Sequence, residues 1–289
     1  MQQIQIFNQS RVRRAFDEAA ENYDQYAVLQ SEVCRRLLEK LEIVKIAPQW
    51  ILDAGSGTGT AIPALFDQYR KAQVVALDLS ENMLHRCARH GGLFRAPHRI
   101  CADIEKLPFT DDSFDLIFSS LSMQWCNDLD AVFNEVRRVL KPGGLFVFTT
   151  FGPDTLKELR QSWARVDAAN HVNQFIDMHD IGDALLHDGF AEPVMEAEIM
   201  TVTYDSVDAI MADLKAIGAN VTAETLTETK MKGLTTRSML ETVRQEYEKF
   251  RCDAVLPATY EIVYGHAWKP SVSSSQDKPG QQKVYLEPR

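Results

Sequence analysis

Ile51-Leu52-Asp53-Ala54-Gly55-Ser56-Gly57-Thr58-Gly59 joins a short apolar run to an acid and three alternate glycines. The run has the length of a buried strand. The amphipathic stretch TAIPALFDQYR that follows, residues 60–70, has the pattern of a helix. Between the two, the chain must turn sharply and let a ligand approach its backbone, which glycine permits. Three glycines alone also fit a plain structural turn. Their spacing narrows the reading. Dinucleotide sites use G-x-G-x-x-G, with a helix N-terminus facing a pyrophosphate. Here the pattern is G-x-G-x-G, and Thr60 stands where the third dinucleotide glycine falls. A ligand without a pyrophosphate fits better, and Asp53 beside the loop suits a cation and repels a phosphate.

The same rhythm continues outward. QVVALDL is followed by ENMLHRCARH, then come HRICADI, FDLIFSSL with DAVFNEVRRVL, and GLFVFTTF after the turn Lys141-Pro142-Gly143-Gly144. Runs apolar on both faces suit buried parallel strands with helices covering the two sides, so an α/β doubly wound sheet is expected. Ahead of it, residues 10–46 read as two helices, with Val33, Leu37, Leu38 and Leu41 at helical spacing. Beyond Phe151, helices are expected at 154–168 and 177–187 and a strand at about 194–204. Two more helices, at about 206–217 and 236–250, precede a last strand at 258–267. Residues 205–256 then form a helical insertion between two terminal strands, placed to cover the mouth of a site. The expected organisation is one domain, 1–269. It comprises N-terminal helices (1–46), a cofactor-binding half (47–151), a substrate half (152–204 and 257–269) and the helical lid (205–256). The polar tail 270–289 is expected to be disordered.

The chain has 289 residues, 45% of them hydrophobic, enough for a sizeable core. Its 31 Lys plus Arg against 41 Asp plus Glu give a net charge of -10. That argues against general nucleic-acid binding, which needs cationic surface, though not against a local basic patch. Cys34, Cys87, Cys101, Cys126 and Cys252 are scattered without a C-x-x-C pair, so no metal site is expected. The N-terminus has no apolar signal region and no stretch approaches the ~20 apolar residues of a spanning helix. A soluble, cytoplasmic protein with no membrane partner is the expectation.

Two further acids stand at strand ends. Asp78 closes VVALD at about the ~20-residue offset where a carboxylate holds ribose hydroxyls, although it also suits an N-cap, a role Ser80 fills better. Asp103, in Ala102-Asp103-Ile104-Glu105, is placed to accept a hydrogen bond from an exocyclic amine. The series LDAGSGTG, ALDLSENML, ADIEKLPF, FDLIFSSLSMQW and LKPGGLFVFTTF, over roughly residues 50–151, resembles the ordered motifs of class I S-adenosylmethionine methyltransferases. The resemblance implies a Rossmann-like, mostly parallel seven-stranded sheet binding S-adenosyl-L-methionine and releasing S-adenosyl-L-homocysteine. It places Gly55, Gly57 and Gly59 against the methionine part with Asp53 behind them, and Asp78 on the ribose. Leu79 and Met83 flank the adenine, Asp103 and Ile104 read its edge, and Ser119 to Leu121 close the site beside the sulfonium. Tyr23 matches a tyrosine that reaches the cofactor carboxylate in related enzymes, or else simply packs on the sheet.

Outside that half, QWC (124–126), HVNQF (171–175), LKAIGA (214–219), LTTR (234–237) and PATY (257–260) occur in order. Together they resemble the malonyl-acyl-carrier-protein O-methyltransferases of biotin synthesis, nearly to Lys269. Gln174 departs from the arginine of some relatives. The QW and H-x-N-x-F elements also resemble a mitochondrial relative that hydroxylates an arginine, so the insertion's segments weigh more. The family implies methyl transfer to the carboxylate of a malonyl group on acyl-carrier protein or malonyl-CoA. Such a carboxylate is ionised at neutral pH, so no general base is needed. Lys215 and Arg237, in the lid, and Arg160 are the candidate cations for it, each otherwise a solvated charge. His171 is a candidate donor to a carbonyl or a structural loop residue, and Trp125 a wall. Arg11, Arg13, Arg14, Arg35, Arg36, Arg137 and Arg138 are candidate docking charges for an acidic carrier, or solvated faces. A quinone or dicarboxylate methyltransferase, or a methyltransferase-like hydroxylase or assembly factor, are the alternatives.

Overall fold

A computed structural model describes residues 5–92, 95–225 and 236–271. Strand β1 (Gln5–Ile6) and helices α1 (Gln9–Ala19), α2 (Tyr23–Tyr26) and α3 (Val28–Glu42) precede the sheet. There follow β2 (Trp50–Ala54), α4 (Ile62–Gln68), β3 (Gln73–Asp78), α5 (Glu81–Cys87), β4 (His98–Cys101), β5 (Phe114–Ser120), α6 (Leu129–Val139) and β6 (Leu140–Phe151). The second half holds α7 (Lys157–Trp163), α8 (Met178–His187), β7 (Ala191–Tyr204), α9 (Val207–Ala216), β8 (Glu224–Thr225), α10 (Arg237–Tyr247) and β9 (Leu256–Trp268).

Seven strands form one sheet in the order β4-β3-β2-β5-β6-β9-β7, and β9 runs antiparallel to both of its neighbours. The other pairs are parallel. The inner strands are apolar on both faces because both are covered: Ile51, Leu52, Leu116 and Ile117 are fully buried. One face packs against α3 and α4 through residues such as Leu37, Leu41, Ile62 and Leu65. The other packs against α6 and α8 through Phe133, Val136, Ile181 and Leu185. Strand order reverses at β2, which has β3 on one side and β5 on the other. The carboxyl ends of these strands therefore open onto a crevice, the usual ligand site of such sheets.

Several details differ from expectation. Strand β6 begins at Leu140 and carries Lys141–Gly144 inside it as an irregularity, with the β5–β6 register shifting between Phe114 and Leu116. The N-terminal helices break at Ala20–Asn22, giving three segments instead of two. β1 pairs antiparallel with β8, so the chain's start is tied to the insertion between β7 and β9. Two-residue strands leave no periodic signal, which is why the pairing was not anticipated. Of the insertion's helices, α9 reaches the site, whereas α10 packs on α7. The tail from residue 272 lies outside the described residues, as do Leu234 and Thr235 of the LTTR segment.

Candidate active site

The glycine bend is held from behind by β3: the Gly55 and Ser56 N–H groups both donate to the Leu77 carbonyl, at 2.8 and 2.9 Å. Gly55 has φ +78°, and a Cβ there lands 2.2 Å from the Cβ of Ser122, so backbone and crowding both require glycine. Gly57, φ +53°, faces open space, and its N–H donates to Asp78 Oδ2 at 2.8 Å. Asp78 Oδ1 accepts from the Ser80 N–H at 2.8 Å. Ser80, not Asp78, caps α5, its hydroxyl accepting from the Met83 N–H. Strand end, bend and helix start are thus tied through one carboxylate, and they border a cavity.

Asp53, 2% exposed, sits at its base. Burial, reinforced by the Asp78 charge, pushes its carboxyl up to about 8. Burial raises Asp78 to about 6, against the lowering pull of the Ser80 and Gly57 N–H groups. Asp53 Oδ2 and Ser56 Oγ are buried without a hydrogen-bond partner. Such atoms are unfavourable unless something binds there. Two orphaned oxygens, a bend open at Gly57 and two strained acids fit a cationic, donor-rich ligand such as S-adenosylmethionine. Asp103 and Ile104 wall the far end, with Leu79 and Met83 beside them.

All the expected cofactor residues line this cavity except Gly59 and Ser119. Gly59 instead faces α5, where a Cβ meets Cys87 Sγ at 2.7 Å. Ser119 is fully buried with its hydroxyl on the Ala54 carbonyl at 2.8 Å, bracing β5 against β2. Its neighbours Ser120, Leu121 and Ser122 take the lining position.

A second cavity adjoins the first, and Phe16, Tyr23, Gln30, Leu121 and Trp125 line both. Its remaining wall is largely apolar, with Phe151, Leu159 and Tyr260 from the sheet side and Leu214 and Ile217 from α9 and its end. Asn173 fastens the roof: its amide donates to the Val221 carbonyl at 3.0 Å and accepts from the Ala223 N–H at 2.9 Å. The N-terminal segment completes it. Asp17 accepts from the Ser80 hydroxyl at 2.6 Å, Asp24 from the Thr58 hydroxyl at 2.6 Å, and Asn127 clasps the Phe7 backbone.

The candidate cations for a carboxylate, Lys215, Arg237 and Arg160, do not line either cavity. Lys215 is exposed on α9, one residue past inward-facing Leu214, and lines a surface groove with Arg11 and Arg14. Arg237 is exposed at the start of α10. Arg160 lies behind the wall, donating to the Pro153 and Thr155 carbonyls at 2.9 and 2.8 Å. Among the described residues no Lys or Arg lines either cavity. His171 does line the second cavity, stacked on Trp163 at 3.7 Å with Nε2 2.9 Å from Asp167. Trp125 is a wall, its ring edge-on to Phe7 and Phe16. Gln174 is exposed. Of the basic clusters, Arg35 and Arg36 pair with Glu32, Glu39 and Glu198, and Arg138 with Glu135 and Asp111. Arg13 lies 3.7 Å from Asp17, and Arg137 packs against Gly189.

Sequence reasoning overlooked Gln30, Phe16 and the Asp17 and Asp24 latches. A signal for Gln30 existed: it lies four and seven residues ahead of buried Cys34 and Leu37, a polar side chain on an apolar stripe.

Residues 52–148 match the family model of a methyltransferase domain. The chain is 51% identical to the malonyl-[acyl-carrier protein] O-methyltransferase of Methylovorus sp. (strain MP688), over 92% of this chain and 90% of that one. It is 48% identical to the protein of the same name in Gallionella capsiferriformans (strain ES-2), covering 94% of each. Among solved structures, it resembles the Haemonchus contortus phosphoethanolamine N-methyltransferase 2 in complex with S-adenosyl-L-methionine, at TM-score 0.51 and 18% identity. That match covers 88% of this chain and 57% of the other. It also resembles the [4+2]-cyclase SpnF, at TM-score 0.50 and 18% identity, covering 83% and 81%. One fold carrying a methyltransferase and a cyclase establishes architecture, not chemistry.

Proposed function

The chain belongs to the malonyl-[acyl-carrier protein] O-methyltransferase family, and from that premise we infer that it methylates the free carboxylate of a malonyl thioester on acyl-carrier protein. The observation that carries this reading is the pair of cavities with a shared wall, one acidic and one largely apolar and free of Lys and Arg among the described residues. S-adenosylmethionine, when bound, supplies a methyl group on a positively charged sulfur. In this reading Asp78 would hold its ribose, Asp103 and Ile104 the adenine edge, and Asp53 and Ser56 the amino-acid end.

The second cavity takes the acyl arm. Its carboxylate is already the nucleophile, with a pKa near ~4, so the protein has no proton to remove. What its residues supply is alignment of an oxygen with the methyl carbon and exclusion of water, which the ring walls of Phe16 and Trp125 provide. Esterification masks the charge, so fatty-acid enzymes can treat the product as an ordinary acyl chain, in keeping with an early step of biotin synthesis. The groove bordered by Arg11, Arg14 and Lys215, in which Glu18 pairs with Arg14, is separated from the second cavity by neighbouring residues of the same two helices, Phe16 and Leu214, and is the proposed docking surface for an acidic carrier.

The test is S-adenosylhomocysteine release with malonyl-carrier protein, malonyl-CoA, free malonate and a quinone offered separately. Turnover with malonyl thioesters alone supports the reading. Turnover confined to the quinone, or none with any substrate, overturns it.

A further inference from the structure

We propose that the side-chain amide of Gln30 grips the substrate carboxylate where the two cavities meet, so that a neutral donor and not a cation holds the anion. The inference rests on the function proposed above and deepens it by naming the subsite. A reacting carboxylate must lie on the boundary between cofactor and acyl cavities, since it receives the methyl group from one while tethered in the other. Among the described residues five side chains border both spaces, and of these Tyr23, Gln30 and Trp125 carry a hydrogen-bond donor.

Tyr23 also borders both cavities; burial first, then the Asp78 and Asp24 charges, hold its hydroxyl above the usual phenol range, so it stays protonated, and those acidic neighbours beside it make it the poorer site for an anion. Trp125 is set edge-on between Phe7 and Phe16. Gln30 is in the first turn of α3, and its amide has no hydrogen-bond partner among the described residues. An unpartnered amide on an otherwise apolar stripe, aimed at a seam, is a group held ready for a ligand.

Neutrality is chemically apt. The reaction converts an anion into a neutral ester. An ion pair would stabilise the carboxylate before transfer and leave a buried, unpaired cation afterwards, raising the barrier. An amide N–H binds a carboxylate more strongly than the ester carbonyl that replaces it, but the difference is smaller than for a cation, and no unpaired charge is left behind. It orients the nucleophile without trapping it.

The test compares wild type with Gln30→Leu, which keeps the bulk and removes the donor, and Gln30→Glu, which puts a like charge on the seam. Three quantities are measured: kcat/KM for a malonyl thioester, S-adenosylhomocysteine affinity, and inhibition by the uncharged butyryl thioester on the same carrier. Loss of one hydrogen bond to a charged group predicts a fall in kcat/KM of about 10- to 100-fold for Gln30→Leu. Gln30→Glu should fall further. Product affinity and butyryl inhibition should stay at wild-type levels in both. A Gln30→Leu protein with wild-type kcat/KM overturns the inference while leaving the methyltransferase reading intact. Equal losses in all three quantities also overturn it, because they mark a packing role. A wild-type protein inert toward malonyl thioesters removes the reading and the inference together.

Discussion

Replacing Asp53 by Asn should make the cofactor-free protein more stable as pH rises, while abolishing much of its cofactor affinity. The carboxyl titrates near 3.8 when unfolded and at about 8 when buried beneath the glycine bend. Folding therefore takes up a proton between those values. For a carboxyl raised by folding, this contribution to stability is complete below the unfolded pKa and is lost as pH climbs through the folded one. At ~1.4 kcal/mol per pH unit, the loss reaches about 4 kcal/mol at pH 7. Asn escapes that loss but puts an amide N–H group where Asp53 Oδ2 now has no partner, and a buried donor left unsatisfied costs about 1–3 kcal/mol. The net gain is near zero at pH 5 and roughly 1–3 kcal/mol at pH 7, larger again at pH 8. Urea melts of the cofactor-free proteins at pH 5, 6, 7 and 8 read this directly. A stability difference that does not grow with pH would refute the claim that Asp53 is an unfavourably buried acid awaiting a cation.

Three other outcomes follow from the same geometry. S-adenosylmethionine affinity should rise between pH 6 and 7.5 by up to about tenfold per pH unit, with proton release, because a cation selects ionised Asp53 and Asp78; calorimetry in buffers of different ionisation enthalpy measures both. Gly55→Ala should fold poorly, since its Cβ meets Ser122 at 2.2 Å, whereas Gly57→Ala, facing open space, should lose only about 1 kcal/mol of stability yet bind the cofactor less well; melts and calorimetry on both variants separate the two effects. Asp17→Ala should lower stability by about 1 kcal/mol and weaken cofactor binding, by removing the carboxylate that accepts from the Ser80 hydroxyl and the Asn82 N–H; unchanged binding would show that the N-terminal latch does not shape the site.

The sheet was legible because its strands are continuous apolar runs, and β2 and β3 also carry an acid at or next to the carboxyl end, Asp53 and Asp78. WILDA, QVVALD and FDLIFSS became β2, β3 and β5 almost residue for residue. The glycine bend was legible for a similar reason, since positive φ at Gly55, Gly57 and Gly59 leaves few alternatives to glycine. The outward position of Lys215 was not legible from residue type alone, because it depends on helical phase. Val207, Ile210, Leu214 and Ile217 set the inward face of α9, and Lys215, one step on, had to point outward. Ser119 was misread for the corresponding reason in a strand. Adjacent residues face opposite sides, and the hydroxyl turned to the Ala54 carbonyl while Ser120 took the cavity side. The pairing of β1 with β8, and with it the way the N-terminus roofs the site, depends on contacts more than 200 residues apart in the chain, and no local pattern encodes them.

The most direct test of the account is intact-mass analysis of malonyl-carrier protein after incubation with this protein and a methyl-labelled donor, followed by fragmentation of the acyl arm. One labelled methyl group, located on the terminal carboxylate as a base-labile ester, is the result predicted. An unchanged carrier mass, or a label on carbon or on the carrier polypeptide, would contradict it.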